Sequence, residues 1–284
     1  MSQPVCVITG ATDGIGLVAA RALAQAGMEI VLVGRSAAKG EAAVNMVSAN
    51  AGGKATFFCA DLSSLTEVAR VGEEISQQYP RIDVLVNNAG AFFASRRLSV
   101  DGIERTFALN HLGYFALTYH LMPTLRTGTP ARIINVASRA HRGPQIDLDD
   151  INFERGYRPK RAYQMSKLAN IHFTMVLAKR LRGTTVTCNC LHPGFVSTNF
   201  GMNNGWMVRA IVRALMRFSA ITVEEGAKTS IYLASSEDVA TTTGKYFVEC
   251  QEHPTSEQAQ DVSVQDELWR ISERMTGLEW PQTL

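Results

Sequence analysis

Short apolar runs alternate with stretches of helical period along most of this chain. The runs Val5–Thr9, Ile30–Gly34, Thr56–Ala60, Val84–Asn87, Arg132–Val136, Thr185–Leu191 and Lys245–Val248 read as strands. Several are continuously apolar, the pattern of strands covered on both faces. Between them, Gly16–Gln25, Ala37–Ala49, Leu65–Gln77, Gly102–Leu125, Ala162–Leu181 and Val223–Ala234 carry helical patterns. Strand–helix–strand repetition predicts an α/β fold: a doubly wound, Rossmann-type arrangement of seven parallel strands with helices on both faces. Right-handed crossovers then place the ligand-binding loops at the carboxyl ends of the strands.

Two segments fall outside the alternation. Residues 195–221 interrupt it before the last helix and strand and read as a lid insertion over the substrate cleft. Residues 256–284 form a tail, helical over Ser256–Thr276, with Leu268, Ile271 and Met275 at core spacing and Gly277 as its stop. No linker, repeat or low-complexity tract divides the chain, so residues 1–284 read as a single domain.

The chain has 284 residues, of which 46% are apolar and 19% charged, the balance of an ordinary globular protein. Lys and Arg number 28 against 26 Asp and Glu, for a net charge of +2, so nothing points to a nucleic-acid partner. The start shows no signal peptide and no apolar stretch is long enough to cross a membrane. The five cysteines read as reduced, buried thiols, so a cytoplasmic location is expected. Cys188 and Cys190 are too close for a usual zinc pair, the six histidines lack ligand spacing, and no metal site is expected.

The chemistry starts at the first strand. It runs into Gly10-Ala11-Thr12-Asp13-Gly14-Ile15-Gly16, which opens a helix. A side chain at these glycines would block a pyrophosphate, and the helix N-terminus faces its charge. The second strand ends at Val33-Gly34-Arg35-Ser36, where an NAD site normally has an acidic residue. Arg35 instead offers a guanidinium to a 2′-phosphate, so the expected cofactor is NADP(H). Further along, Tyr163 and Lys167 are four apart and share a helix face. A cation one turn away is expected to lower the phenol pKa and fit Tyr163 for proton exchange with a carbonyl or alcohol. Ser138, at the end of the fifth strand, is placed to hydrogen-bond the same oxygen.

These motifs resemble the classical short-chain dehydrogenase/reductase family. The set is Thr9 to Gly16, Asp61-Leu62, Asn87-Asn88-Ala89-Gly90, Asn110, Ser138, Tyr163-Gln164-Met165-Ser166-Lys167 and His192-Pro193-Gly194. The resemblance implies roles by position. Asp61 and Leu62 would contact adenine, and Asn87, Ala89 and Gly90 would line the nicotinamide side. Asn110 would hold a water that links Lys167 to solvent. Ser138 would orient the carbonyl, Tyr163 would be the acid/base, and Lys167 would bind the ribose. Pro193, Gly194, Val196 and Thr198 would approach the nicotinamide carboxamide.

Asn110-His111-Leu112-Gly113-Tyr114-Phe115, Tyr163 to Asn170 and His192-Pro193-Gly194-Phe195-Val196 resemble the retinol dehydrogenase-like branch. That resemblance implies reduction of retinal or another lipophilic aldehyde or ketone. The alternatives are a steroid, polyol or acyl-thioester ketone, or a non-catalytic NADP(H) sensor. Trp206–Phe218 carries Arg209, Arg213 and Arg217 at four-residue spacing beside a broad apolar face. It reads as a lid helix, with a peripheral membrane contact as the alternative. The branch leaves a homodimer or homotetramer open. Phe92, Phe93, His141 and Phe195 are candidate pocket residues, with His141 reading as solvent-facing. Arg155, Arg158, Lys160 and Arg161 read as a solvated basic face.

Overall fold

A computed structural model of the chain describes residues 3–49, 54–127, 130–143, 145–194, 221–282 and 284. The lid segment Trp206–Phe218, with Phe195, Val196 and Thr198, therefore lies outside the described residues.

One sheet organises the molecule. Its strands are β1 (Val5–Thr9), β2 (Glu29–Gly34), β3 (Ala55–Cys59), β4 (Val84–Asn87), β5 (Ala131–Val136), β6 (Val186–His192), β7 (Tyr246–Val248) and β8 (Gln251–His253). The order across the sheet is β3-β2-β1-β4-β5-β6-β7-β8. The pairings from β3 through β7 are parallel, which gives the expected seven strands. The short, exposed β8 adds an antiparallel edge strand that the hydrophobic pattern does not reveal.

Alternate strand residues feed two separate cores, because successive side chains point to opposite faces. Val7, Val31, Leu85 and Ile133 meet α3 (Leu65–Gln78) and α4 (Gly113–Leu125) through Val71, Ile75, Leu117 and Leu121. The adjacent Ile8, Ile30, Val86 and Ile134 meet α1 (Gly14–Gln25), α2 (Ala37–Ser48) and α6 (Val223–Ser235) through Leu23, Val47 and Leu233. Each fully buried aliphatic side chain contributes about 1.5–3 kcal/mol, so both helical layers are held by the sheet.

The helix α5 (Pro159–Arg180) opens with proline at its first turn, where a missing N–H costs nothing. It is buried on most of its circumference, because sheet, α4 and tail enclose it. The tail forms α7 (Val262–Thr276), which Gly277 stops in the left-handed region at φ 68°. Leu268 and Ile271 are buried as expected, and Met275 packs against the same core. Trp269 and Trp280 add an aromatic cluster with Phe115 and Phe173. The stretch read as one helix over Gly102–Leu125 is broken. A three-residue turn, Arg105–Phe107, leads into a π-turn, Ala108–Leu112, before α4.

Candidate active site

The strand order reverses between β1 and β4, and a groove of about 510 Å³ opens at their carboxyl ends. That crevice is where doubly wound sheets bind ligands. Gly10, Thr12, Asp13, Gly14, Ile15, Gly16 and Arg35 line one end, and Ser138, Tyr163, Lys167, Pro193 and Gly194 the other. Ala89 and Gly90 lie between them.

The glycines are required by close approach. A Cβ on Gly16 would lie 2.5 Å from the Gly10 carbonyl oxygen, and Gly10 itself has φ +65°. Asp13 caps α1, its carboxylate accepting the Gly14 N–H at 2.8 Å. The backbone thus turns a helix N-terminus towards the groove, with exposed Arg35 on its rim. This cradle of bare backbone and a cationic rim fits a dinucleotide carrying an additional phosphate. Asn88, which the Asn87–Gly90 motif contains without a role of its own, and Lys39, which no motif contains, also line the groove. Lys39 sits one turn into α2, so its spacing from Arg35 was the available signal. Asn88 donates to the carbonyls of Thr9 and Gly10 at 2.8 and 3.3 Å, tying β4 to the glycine turn.

Of the other expected residues, Asp61, Leu62 and Asn87 are not part of the groove lining. Leu62 is buried in the core, and Asn87 is fully buried with its amide donating to Thr118 and Asn135. Asp61 is half-exposed near Arg105, at 3.6 Å. Burial raises its pKa, but Ser63's hydrogen bonds, Arg105 and Arg35 outweigh this and hold the carboxyl below its ordinary value.

At the opposite end, Lys167 is buried and donates to the Val136 carbonyl at 2.9 Å. Its nitrogen lies 5.8 Å from the centre of the Tyr163 ring. Tyr163 and Ser138 line the same end of the groove. Burial pushes the Tyr163 phenol up to about 12, and Ser138 only partly opposes it. Burial also pushes the Lys167 amine down to about 7. The expected lowering of the phenol by its neighbouring cation is not found: burial sets the direction for both groups. Desolvation disfavours the charged form of each, phenolate and ammonium alike.

Asn110 sits in the π-turn, fully buried. Its side chain donates to the Ala91 carbonyl and Ser166 Oγ, each at 3.0 Å, and accepts the Ala91 N–H at 2.9 Å. Ser166 Oγ in turn donates to the Tyr163 carbonyl at 2.8 Å. The π-turn therefore fixes the loop after β4 against the first turns of α5. A Cβ on Gly90 would meet Asn110 Oδ1 at 3.3 Å and Lys167 Nζ at 3.5 Å, so the two flank one glycine.

Of the pocket candidates, Phe92 stands edge-on to Tyr163 at 6.2 Å, whereas Phe93 is buried under Arg105. His141 is fully buried, which corrects its reading as solvent-facing. The basic face before α5 is partly neutralised by acid: Arg155 pairs with Asp147 and Asp150 at 3.2 and 3.4 Å, and Arg161 with Asp147 at 3.8 Å. Among the described residues, no group of three or more His, Cys, Asp or Glu could hold a metal, and no helix is long and apolar enough to cross a membrane.

A doubly wound sheet with a glycine-lined switch-point groove and a Ser, Tyr and Lys at its far end defines a dehydrogenase of the short-chain type. Residues 4–207 match the short chain dehydrogenase family, and the chain belongs to it as an oxidoreductase acting on a CH–OH/C=O group. It is 39% identical to retinol dehydrogenase 14 of Mus musculus, with 98% of this chain and 87% of that protein aligned. Among solved structures, an uncharacterised protein from Mycobacterium paratuberculosis is 33% identical with a TM-score of 0.80, covering 99% of this chain and 96% of that one. The Pseudomonas aeruginosa RhlG/NADP active-site complex is 27% identical with a TM-score of 0.69, covering 87% and 94% respectively.

Proposed function

We propose that the protein reduces the carbonyl of a lipophilic aldehyde or ketone, retinal-like in character, using NADPH. The observation that carries this reading is the convergence of Ser138, Tyr163 and Lys167 on one end of a groove whose other end presents Arg35. The similarity to retinol dehydrogenase 14, together with the NADP complex of a related structure, supports the choice of substrate and cofactor.

Bound NADPH supplies the hydride, for which the chain has no equivalent group. The glycine turn and the α1 N-terminus would hold the pyrophosphate, Arg35 the 2′-phosphate, and Lys167 a ribose hydroxyl. Ser138 and Tyr163 donate to the substrate oxygen as negative charge develops on it. Tyr163 delivers its proton to that oxygen and is recharged from Lys167, which a water held beside Asn110 would connect to solvent. A phenol held near 12 keeps its proton at neutral pH, the state a reductase needs. Phe92, beside Tyr163, supplies an apolar wall for the substrate. Trp206–Phe218 would close the cleft as a lid, a part of the proposal carried by sequence alone.

The test is NADPH oxidation against propanal, hexanal, decanal and retinal. Turnover rising with apolar chain length supports the proposal, whereas turnover confined to short polar carbonyls overturns the substrate class.

A further inference from the structure

Ser138 opens the 3-10 turn Arg139–Arg142, and its Oγ accepts the Ala140 N–H at 3.1 Å. Its carbonyl receives two contacts from one residue: the backbone N–H of His141 at 3.1 Å and ring Nδ1 of His141 at 2.7 Å. The other ring nitrogen, Nε2, accepts the backbone N–H of Ser256 at 3.2 Å. A carbonyl can only accept and an N–H can only donate, so the proton is on Nδ1 and the ring is neutral. The imidazole is wholly buried, with the Tyr246 ring edge-on to it at 5.0 Å. Burial lowers its pKa, consistent with that tautomer.

We propose that His141 is a positioning residue for Ser138: its neutral ring bridges the Ser138 carbonyl to the backbone of Ser256 and so sets the aim of the Ser138 hydroxyl. The inference rests on the assignment of Ser138 as the group that orients the substrate carbonyl. A four-residue 3-10 turn has few hydrogen bonds of its own, so its first residue needs an external tie. His141 supplies one to a chain segment 115 residues further on, at the root of the tail. A misplacement of about 1 Å at such a hydroxyl costs roughly 100-fold in rate, which is the leverage the ring controls.

A double-mutant cycle tests this. Wild type, His141→Ala, His141→Asn, Ser138→Ala and the His141→Ala/Ser138→Ala pair are compared for kcat and KM with the fastest carbonyl of the aldehyde series. The Kd for NADPH and the Tm are measured on each. His141→Ala is expected to lower kcat by about tenfold or more while the NADPH Kd stays within about twofold. His141→Asn, which keeps a donor near the Nδ1 position, restores kcat to within about threefold of wild type. With Ser138 already Ala, removing His141 costs less than about twofold, since the hydroxyl it aims is gone. An equal loss with and without the Ser138 hydroxyl, or no loss at all, overturns the inference. If Ser138→Ala alone leaves turnover intact, it is the assignment of Ser138 that fails. Should His141→Ala not fold, His141→Gln, which loses the Nδ1 donor but keeps a distal acceptor, takes its place in the cycle.

Discussion

The nitrogen of Lys167 stands 5.8 Å from the centre of the Tyr163 ring, and both groups are shifted towards their neutral forms. Burial disfavours the charge on each, so the pair is costly to fold around. Perturbed groups of this kind concentrate at functional sites, where stability is exchanged for chemistry.

Replacing Lys167 with Met should therefore stabilise the cofactor-free protein. The folded amine titrates near 7 against an ordinary 10.5. Below about pH 7 both states hold the proton and the burial penalty is fully present. Between the two values the unfolded chain holds more protons, so stability rises with pH. Lys167→Met should add about 1–4 kcal/mol at neutral pH and flatten that rise. The Val136 carbonyl keeps a donor, Asn170 Nδ2 at 3.3 Å, so no acceptor is orphaned. Thermal unfolding of both proteins from pH 6 to 10 measures the effect. A variant less stable than wild type at pH 7 contradicts it.

Acid sensitivity should come from buried histidines. Burial holds His111 at about 3 and His172 and His192 at about 4. Their unfolded counterparts titrate near 6.5, so the unfolded chain binds the extra protons as pH falls. Stability should drop below about pH 6.5, by up to about 1.4 kcal/mol per pH unit for each histidine, levelling off only near the folded values. His172 is the simplest to test, since its Nε2 reaches the Gln258 carbonyl at 3.0 Å and Gln can replace that donor. His172→Gln should reduce the slope of stability against pH between 6 and 4.5 in urea titrations. An unchanged slope argues against this origin.

Arg35 should select the cofactor. Arg35→Ala should weaken NADPH binding by about 10- to 100-fold, the worth of a charge-assisted contact, and leave NADH nearly unaffected. Fluorescence titration with both nucleotides provides the readout. Parallel losses for both would move the 2′-phosphate contact elsewhere, with Lys39 on the same rim the first alternative.

Much of the fold was legible because its strands are buried on both faces. Val5–Thr9 and Val84–Asn87 read as strands from apolar runs alone, and both are found with those bounds. Features set by distant partners were not legible. The exposed β8 has no hydrophobic signature, since it exists only by pairing with β7. The π-turn at Ala108–Leu112 shares its apolar pattern with the helices around it, and its role appears only in Asn110's bonds to Ala91 and Ser166. His141 looked solvent-facing because Ser256, which fixes its ring, is remote in sequence. The shifts of Tyr163 and Lys167 depend on enclosure, which spacing along a helix cannot report.

Substitution of Tyr163 by Phe tests the proposed chemistry most directly. The hydroxyl is removed while the ring, its packing on Phe92 and the groove remain. NADPH affinity by fluorescence and steady-state reduction of the best aldehyde would be measured on both proteins. NADPH should bind as in wild type while kcat falls by about 10²–10⁴-fold, the usual share of a general acid. Near-normal turnover in Tyr163→Phe would contradict the assignment of Tyr163 as the proton donor.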